Sequence, residues 1–324
     1  MKVRFWGTRG SLPVSLTAAE VERKIAHVLL DAAGRRFHAL EEARHFLATL
    51  PFAVARTYGG DSSCVEIEIA AAADVARDYV LCDLGSGARR FGNDVLARHG
   101  PGKAGVFHVF MSHLHWDHIM GFPFFAPAYI AGNRVRIYGC HAELEYAFRR
   151  QQEPPSFPVD FDRLGADIEF IVLEPDVTVT VAGLEVTPKR QRHGGDSYGY
   201  RFERGGKVVV YSTDSEHKLD DPRETEDFVD FFRHADLVIF DAMYSLADAI
   251  SVKEDWGHSS NVVGVELCQL AGVRHLALFH HEPVFDDARI AGAEAEARRF
   301  EAITRGERPP LTVTAAYDGL EIDL

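Results

Sequence analysis

Short apolar runs recur along this 324-residue chain, and polar or glycine-containing segments separate them. Apolar runs of this length that are rich in Val, Ile, Phe and Tyr predict β-strands. We predict strands at VRFWG, CVEIEIA, YVLCDLG, VFHVFMS, RVRIYG, IEFIVL, VTVTVAGLEVT, YGYRFE, KVVVYS, LVIFDAM, HLALFH and LTVTAAY. Helical patterns lie between them, near residues 142–151, 225–234, 259–271 and 286–305. This alternation predicts an α/β sandwich in which many strands are buried.

Two segments depart from the alternation. Residues 17–48 carry no strand pattern and predict one or two amphipathic helices, with apolar positions such as Val21 and Ile25. Residues 149–165 contain three prolines and predict an extended loop that borders the site. Because α/β enzymes of this size often fold as one unit, we predict a single domain over residues 1–324 with a helical insertion at about 17–48.

Acidic residues outnumber basic residues by 49 to 35, which gives a net charge of −14 with histidine counted as neutral. This balance argues against an extensive nucleic-acid surface, although a small anionic substrate can still bind a local metal site. No apolar run approaches the roughly 20 residues of a membrane-spanning helix, and the start MKVRFWGTRG lacks the apolar core of a signal peptide. We therefore expect a cytoplasmic protein without a membrane partner. The four widely spaced cysteines predict buried or partly buried thiols rather than a disulfide framework.

The densest group of chemically active side chains follows the run VFHVFMS. His113, His115, Asp117 and His118 stand within six residues, and imidazoles and carboxylates are typical ligands of divalent transition metals. Two nearby ions suit this cluster, because its donors can serve two ions and leave room for a bridging hydroxide. A solvated polar loop is the less favoured interpretation.

Three further candidates come directly after predicted strands. His193 ends the segment EVTPKRQRH, Asp214 follows KVVVYST, and His280 follows HLALF. Each of the histidines alone is more often an ordinary hydrogen-bonded residue than a ligand. Together the candidates complete two sets. One set is His113, His115 and His193, the other is Asp117, His118 and His280, and Asp214 is predicted to bridge the two ions.

The order of these residues resembles the metallo-β-lactamase superfamily, in which an H-x-H-x-D-H segment precedes a distant histidine, a distant aspartate and a last histidine. Within it, the chain is most similar to the branch that contains ribonuclease Z and the phosphoribosyl cyclic phosphodiesterases. The segments that carry this likeness are GTRGS (7–11), YGGDSSC (58–64), DLGSG (83–87), DSYGYRF (196–202), STDS (212–215) and GHSSN (257–261). The resemblance implies an αββα sandwich, two divalent metal ions and a homodimer.

The resemblance also implies roles for residues outside the two sets. Asp83 would support a metal-binding histidine, and the alternative is a carboxylate that caps a turn. His258 would lie beside the substrate phosphoryl group, and the alternative is an ordinary histidine at a helix start. The last family ligand aligns with His280, so the adjacent His281 is expected to support the site or to face the substrate. His217 is left unassigned.

The chain departs from the family pattern in two respects. Where relatives are expected to read GGNTSC, it has Asp61 and Ser62, so a hydrogen-bond donor near the pocket is replaced by an acceptor. The Gly/Pro-rich arm with which ribonuclease Z grips transfer RNA is not evident, which disfavours transfer RNA processing.

These observations favour a two-metal hydrolase that cleaves a small cyclic phosphate or a nucleotide phosphodiester with a metal-bridging hydroxide. Asp117 would orient that hydroxide, and His258 would balance phosphate charge or protonate the leaving group. Zinc and manganese are the expected ions. A thioesterase, lactonase or β-lactamase-like activity is the alternative, followed by a metal-stabilised binding module. The run FPFF at 122–125 would stack a base or pack in the core, and core packing is favoured.

Overall fold

The structure is a computed structural model that describes residues 1–69, 77–217, 221–244 and 257–324. Its strands are Lys2–Gly7 (β1), Cys64–Glu68 (β2), Arg77–Cys82 (β3), Gly105–Phe110 (β4), Arg134–Gly139 (β5), Asp167–Val172 (β6), Val179–Val181 (β7), Leu184–Gln191 (β8), Ser197–Arg204 (β9), Lys207–Ser212 (β10), Leu237–Asp241 (β11), His275–Phe279 (β12), Thr312–Ala315 (β13) and Glu321–Asp323 (β14). Each run predicted as a strand contributes to at least one of them, although Ala70 at the end of CVEIEIA lies outside the described residues.

Two details of the strand pattern differ from the prediction. The run VTVTVAGLEVT forms the antiparallel pair β7 and β8, because Ala182 and Gly183 adopt φ values of 50° and 74° and reverse the chain. Positive φ at both central residues suits a two-residue hairpin turn. The strand β14, which pairs with β1, is too short for its three residues to show a hydrophobic alternation.

The helices lie mainly between strands. They are Ala18–Asp31 (α1), Leu40–Thr49 (α2), Phe52–Ala55 (α3), Gly87–His99 (α4), Trp116–Ile119 (α5), Leu144–Gln151 (α6), Pro222–Phe232 (α7), Asn261–Ala271 (α8) and Asp287–Thr304 (α9). Short 3-10 helices span Phe122–Phe124, Ala126–Tyr129 and Phe161–Arg163. Helices α6 to α9 correspond to the four predicted from the sequence.

Helix α4 was not predicted, because Gly87 and Gly92 weaken its helical pattern. Both glycines instead permit close packing. A Cβ atom at Gly87 would lie 2.7 Å from the backbone of Trp6, and one at Gly92 would lie 2.8 Å from the ring of Pro127. The tertiary contacts therefore explain two residues that are unfavourable for an isolated helix.

The strands form two seven-stranded sheets. The order is β14-β1-β2-β3-β4-β5-β6 in the first and β13-β12-β11-β10-β9-β8-β7 in the second. Strands β3 to β6 are parallel to one another, and so are β10 to β13. Parallel strands end at a common edge of their sheet, so each sheet has one edge at which several carboxyl ends meet.

Three hydrophobic clusters lie between the four layers of the fold. The first joins the two sheets, with Phe5 and Phe110 from one facing Tyr211 from the other. The second packs α4 onto the first sheet through Phe91, and the third, which includes Phe232, packs α7, α8 and α9 onto the second sheet. The predicted αββα sandwich is therefore confirmed.

The segment 17–48 contains the predicted helical insertion. Thr17 and Glu20 form a capping box that begins α1, and Lys24 binds the carbonyl oxygen of Arg56 at 2.8 Å and the carboxylate of Asp287 at 2.7 Å. The apolar face of α1 is largely exposed to solvent. A single domain over the whole chain stays a prediction.

The four cysteines are free thiols, and all but the partly buried Cys140 are buried. Within the described ranges, no helix is long and apolar enough to cross a bilayer.

Candidate metal centre

The candidate site lies where the carboxyl ends of the parallel strands in both sheets meet. In the first sheet, Asp83 follows β3 and the segment that begins at His113 follows β4. In the second sheet, Asp214 follows β10, Asp241 ends β11 and His280 follows β12. Because the sheets are packed face to face, these strand ends collect polar side chains from both halves of the sandwich.

The remaining ligand candidates reach the same place by different routes. Strand β8 runs antiparallel to β9, which runs antiparallel to β10, so His193 after β8 lies at the same edge as Asp214. The short helix α5 then holds Asp117, whose Oδ2 accepts a hydrogen bond from the backbone N–H of Ser11 at 2.8 Å. The Ser62 hydroxyl donates to the backbone oxygen of Asp117 at 2.7 Å, which fixes the start of this helix.

The first predicted set forms a group of three rings. Ligand nitrogens of His113, His115 and His193 all lie within 4.8 Å of one another. His193 Nε2 is 3.1 Å from His115 Nδ1, and the ring of His113 is centred 4.5 Å from that of His115. The other nitrogen of His193 lies 2.8 Å from the carbonyl oxygen of Gly257. This contact orients the ring and directs Nε2 into the group.

The second predicted set is more deeply buried. Ligand atoms of Asp117, His118 and His280 lie within 4.8 Å of one another. Asp117 Oδ2 is 3.2 Å from His118 Nε2 and 3.4 Å from His280 Nε2. The two imidazoles stack with ring centroids 5.4 Å apart.

Asp214 lies between the two sets. Its Oδ2 is 3.6 Å from His113 Nε2 and 3.7 Å from His193 Nε2. Its Oδ1 is 3.2 Å from both His118 Nε2 and His280 Nε2. Each carboxylate oxygen of Asp214 thus faces a different set, as expected of a residue that bridges two ions.

Several of these residues have an unfavourable backbone conformation. Asp83, Asp214 and His280 adopt φ values of 60°, 37° and 61°, in the left-handed region that non-glycine residues rarely occupy. All three stand at strand ends on the carboxyl edge. Conformational strain of this kind is concentrated at functional sites, where the surrounding contacts hold it in place.

Asp83 is buried at the centre of a hydrogen-bond network. Its Oδ2 lies 2.7 Å from His118 Nδ1 and accepts from the hydroxyls of Ser112 and Tyr211 at 2.7 Å each, while Oδ1 accepts from the backbone N–H of Ser112. With Nδ1 of His118 held by a carboxylate, Nε2 is the nitrogen that faces Asp117 and Asp214. Asp83 thus contacts a ligand candidate, and its role in supporting a metal-binding histidine stays a prediction.

The chemistry of this group fits divalent metal ions. His113 Nε2 and His118 Nε2 are buried, and within the described part of the chain neither makes a hydrogen bond of good geometry, although carboxylate oxygens lie 3.2 to 3.6 Å away. Two carboxylates, Asp117 and Asp214, are buried beside them. Unpaired nitrogens and neighbouring carboxylates are costly in a low-dielectric interior unless a cation binds them. Imidazole nitrogens and carboxylate oxygens are also the donors that zinc and related ions prefer.

The protonation of two residues supports the same conclusion. Burial and the neighbouring His118 lower the pKa of His113 well below its ordinary value, so its imidazole is neutral. Burial acts to raise the pKa of Asp214, but His280 and His118 outweigh it and hold that pKa well below its ordinary value. Neutral imidazole and ionised carboxylate are the forms that bind metal.

His258 adjoins both sets. Its ring is centred 5.0 Å from that of His193 and 5.2 Å from that of His280. Its Nδ1 lies 2.8 Å from Asp241 Oδ2. Burial alone would lower the pKa of His258, but Asp241 outweighs it and raises the pKa to about 9. The neighbouring Ser260 caps helix α8 through the backbone N–H of Val263, so His258 is not needed for that role.

Asp241 is the site residue that sequence reasoning missed. Besides holding His258, it accepts hydrogen bonds from the backbone N–H groups of Ser215 and Met243 at 3.0 and 3.1 Å. Its position gives a usable signal, because it ends a fully buried strand whose parallel neighbours are followed by Asp214 and His280. An aspartate at that edge of the sheet lies beside the ligand candidates that follow the neighbouring strands.

Two other histidines are placed outside the group. His281, expected to support the site or to face the substrate, directs Nε2 to the carbonyl oxygen of Ala316 at 2.8 Å and packs against Tyr58. Burial lowers the pKa of His281 to about 3. His217 packs among Phe228, Phe232 and Phe240 in the hydrophobic layer outside the second sheet.

Asp61, which departs from the family pattern together with Ser62, has a structural role. The Asp61 carboxylate accepts from the hydroxyl of Ser86 at 2.8 Å and lies 3.4 Å from Arg90, so it holds the loop before α4. Within the run FPFF, Phe122 and Phe125 are fully buried, as favoured from the sequence, whereas Phe124 is exposed.

Comparison with protein families gives a match to the model of the beta-lactamase superfamily domain over residues 79–281. Ribonuclease Z of Natronomonas pharaonis is 27% identical over 252 residues, which cover 63% of this chain and 77% of that protein. Ribonuclease Z of Haloarcula marismortui is 27% identical over 157 residues, which cover 47% of this chain and 44% of that protein. The match thus spans less than half of the length of the Haloarcula relative.

Solved structures share the fold at lower identity. The metallo-beta-lactamase fold protein YhfI from Bacillus subtilis has a TM-score of 0.63 and 18% identity, over 99% of this chain and 98% of that one. A diphosphatase from the PhnP family has a TM-score of 0.58 and 17% identity, over 100% of this chain and 97% of that one.

Proposed function

Because this chain belongs to the beta-lactamase superfamily, we propose that it is a two-metal phosphodiesterase that hydrolyses a small cyclic phosphate or a nucleotide phosphodiester. The resemblance predicted from the sequence, to a superfamily of metal-dependent hydrolases, is confirmed by the family match. The relatives named ribonuclease Z support a phosphodiester substrate, since a ribonuclease cleaves phosphodiester bonds. The net charge of −14 favours a small substrate over an extended nucleic acid.

The observation that carries this proposal is the position of His258. Its ring lies about equally far from His193 in the first set and His280 in the second, while its Nδ1 is held by Asp241. If protonated, the His258 imidazole would suit a phosphate that contacts both sets, because phosphate oxygens carry the negative charge that it would balance.

Each residue of the site then has a defined task. Two divalent ions, when bound by His113, His115, His193, Asp117, His118, His280 and Asp214, would lower the pKa of bound water from about 15.7 toward neutrality and attract phosphate oxygens. Asp117, held by the N–H of Ser11, would accept a hydrogen bond from the attacking water. Since Nδ1 of His258 is held by Asp241, Nε2 is the nitrogen that would donate a proton to the leaving oxygen.

A substrate panel tests the proposal. Metal-stripped protein is reloaded separately with zinc and with manganese, and hydrolysis of bis(p-nitrophenyl) phosphate, nitrocefin and a thioester is measured. We expect metal-restored hydrolysis of the phosphodiester alone. Turnover of only the lactam or the thioester, or of none of the three with two ions bound, would contradict the phosphodiesterase assignment and favour another hydrolase or a binding module.

A further inference from the structure

A cleft of about 800 Å³ begins at the segment that carries the metal-ligand candidates. Leu114 and Trp116, which alternate with His113, His115 and Asp117 along the chain, form one wall. A second wall comes from helix α6 and the loop after it, through Tyr146, Arg150 and Phe157. The cleft therefore borders the segment that carries the ligand candidates, and its volume lies in the range of small-molecule sites, roughly 300–1,000 Å³. We call it the aromatic cleft.

The aromatic cleft contains three aromatic side chains that are more than half exposed. Trp116, Phe124 and Tyr146 are 62%, 57% and 58% exposed. Phe124 is nevertheless held in place, because its ring packs at 90° against Phe157 with centroids 5.5 Å apart. Three large aromatic side chains that line one concave surface and remain exposed indicate a binding surface for a flat, apolar group.

A guanidinium group stands at the same wall. Arg150 lies 5.9 Å from the centroid of the Tyr146 ring. Its neighbour Arg149 is bound by Glu145 and Asp162, whereas no ion pair within the described ranges holds Arg150. Arg150 therefore keeps free N–H donors beside an aromatic face. Ring nitrogens and carbonyl oxygens of a heterocycle are suitable acceptors for them.

We propose that the aromatic cleft binds the nucleobase of a nucleotide substrate whose phosphodiester lies at the metal centre. This inference rests on the proposed function and narrows its substrate class from any small phosphodiester to nucleotides. Exposed aromatic faces stack on any base, and a guanidinium adds hydrogen bonds to the base edge. An aliphatic group would leave the guanidinium donors without an acceptor.

Equilibrium binding of 5′-nucleoside monophosphates to the metal-loaded protein tests this inference, with ribose 5-phosphate as the ligand that lacks only the base. We expect at least one nucleoside monophosphate to bind about tenfold or more tightly than ribose 5-phosphate. The variants are Tyr146→Ala and Phe124→Ala, because both residues are exposed and lie outside the ligand segment. Each should weaken nucleotide binding by roughly tenfold to a hundredfold and leave ribose 5-phosphate binding unchanged.

Two control variants sharpen the test. Tyr146→Phe keeps the ring and should retain the affinity for nucleotides, and Ile303→Ala, an exposed position on α9, should change nothing. Equal binding of nucleotides and ribose 5-phosphate, or nucleotide binding insensitive to Tyr146→Ala and Phe124→Ala, would overturn the inference. If methyl p-nitrophenyl phosphate is hydrolysed in that case, the phosphodiesterase proposal stands while the base site fails. Base-dependent binding without any phosphodiester turnover would instead contradict the proposed function alone.

Discussion

His258 Nδ1 lies 2.8 Å from Asp241 Oδ2. His258 was predicted from the sequence to be a site residue, whereas Asp241 was not. The carboxylate fixes the ring between the two sets of ligand candidates. A carboxylate that holds Nδ1 of an imidazole leaves Nε2 for proton transfer. His258 also lies close enough to His193 and Asp214 to be a ligand candidate itself, and we propose that it acts on the substrate instead.

Replacing His258 should separate catalysis from metal binding. We expect His258→Ala to retain two ions per chain and to lower kcat by about a hundredfold to ten-thousandfold, the usual contribution of a general acid. Metal content is measured by elemental analysis beside steady-state kinetics. Asp241→Asn should cause a smaller loss of kcat, because the ring is present but less firmly oriented. Loss of an ion from His258→Ala would show instead that this residue is a ligand.

Asp83→Asn should weaken metal binding although Asp83 lies behind the ligands. The change removes the ionised acceptor that holds His118 Nδ1, the Ser112 hydroxyl and the Tyr211 hydroxyl. We expect a loss of roughly tenfold to a hundredfold in metal affinity, measured by competition with a chelator. Tyr211→Phe, which removes one of these hydrogen bonds, is the matched control and should have a smaller effect. Equal affinity of Asp83→Asn and the wild type would contradict the supporting role.

Gly10→Ala tests whether the close approach of Gly10 to His280 keeps that ring in place. A Cβ atom at Gly10 would lie 2.5 Å from His280 Cε1 and 2.6 Å from Met243 Cε, so the ring would have to move. We expect this variant to lose an ion and at least about 90% of its turnover. Gly102→Ala, where an added Cβ has no neighbour within 4 Å, should behave as the wild type. An active Gly10→Ala variant with two ions would show that His280 tolerates displacement.

Asp318 gives a prediction of pH-dependent stability. It accepts hydrogen bonds from the N–H groups of Gly60 and Asp61, but burial raises its pKa from 3.8 to about 6. Between about pH 4 and pH 6, the folded state therefore holds a proton that the unfolded state has lost. The contribution of Asp318 to the free energy of unfolding falls as the pH rises through this window, by of order 3 kcal/mol.

The variant Asp318→Asn removes this titration. Relative to the wild type, its free energy of unfolding should increase between about pH 4 and pH 7, as measured by urea unfolding. Asp323→Asn changes an exposed carboxylate and should give a difference that does not vary with pH. A constant difference for Asp318→Asn would mean that the buried carboxyl titrates at its ordinary value.

The sequence predicts the sandwich well because its strands are buried and stand out as apolar runs. It also points to the metal centre, since His113, His193, Asp214 and His280 follow such runs. Other features depend on contacts between distant segments. Helix α4 was missed because its glycines are explained only by Trp6 and Pro127 across the fold. Asp241 carried no motif, and the orientation of His281 toward Ala316 follows from packing that no local pattern encodes.

Which phenylalanines of the aromatic run at 122–125 are buried likewise could not be predicted from the sequence. Three phenylalanines within four residues cannot be told apart by composition, but the 3-10 turn buries Phe122 and Phe125 and leaves Phe124 in the cleft. Periodicity analysis does not resolve so short a turn.

Two ions per chain are central to the proposed mechanism, and stepwise titration of metal-stripped protein tests this stoichiometry most directly. Zinc or manganese is added in fractions of an equivalent while phosphodiester turnover is followed. The wild type is compared with His115→Ala. The matched control is His27→Ala, which replaces an exposed histidine on α1. We predict that turnover of the wild type and of His27→Ala rises until two equivalents are bound, and that His115→Ala binds fewer ions and is at least about a hundredfold less active. Full turnover at one equivalent, turnover that needs no metal, or an active His115→Ala variant with two ions would contradict the two-metal account.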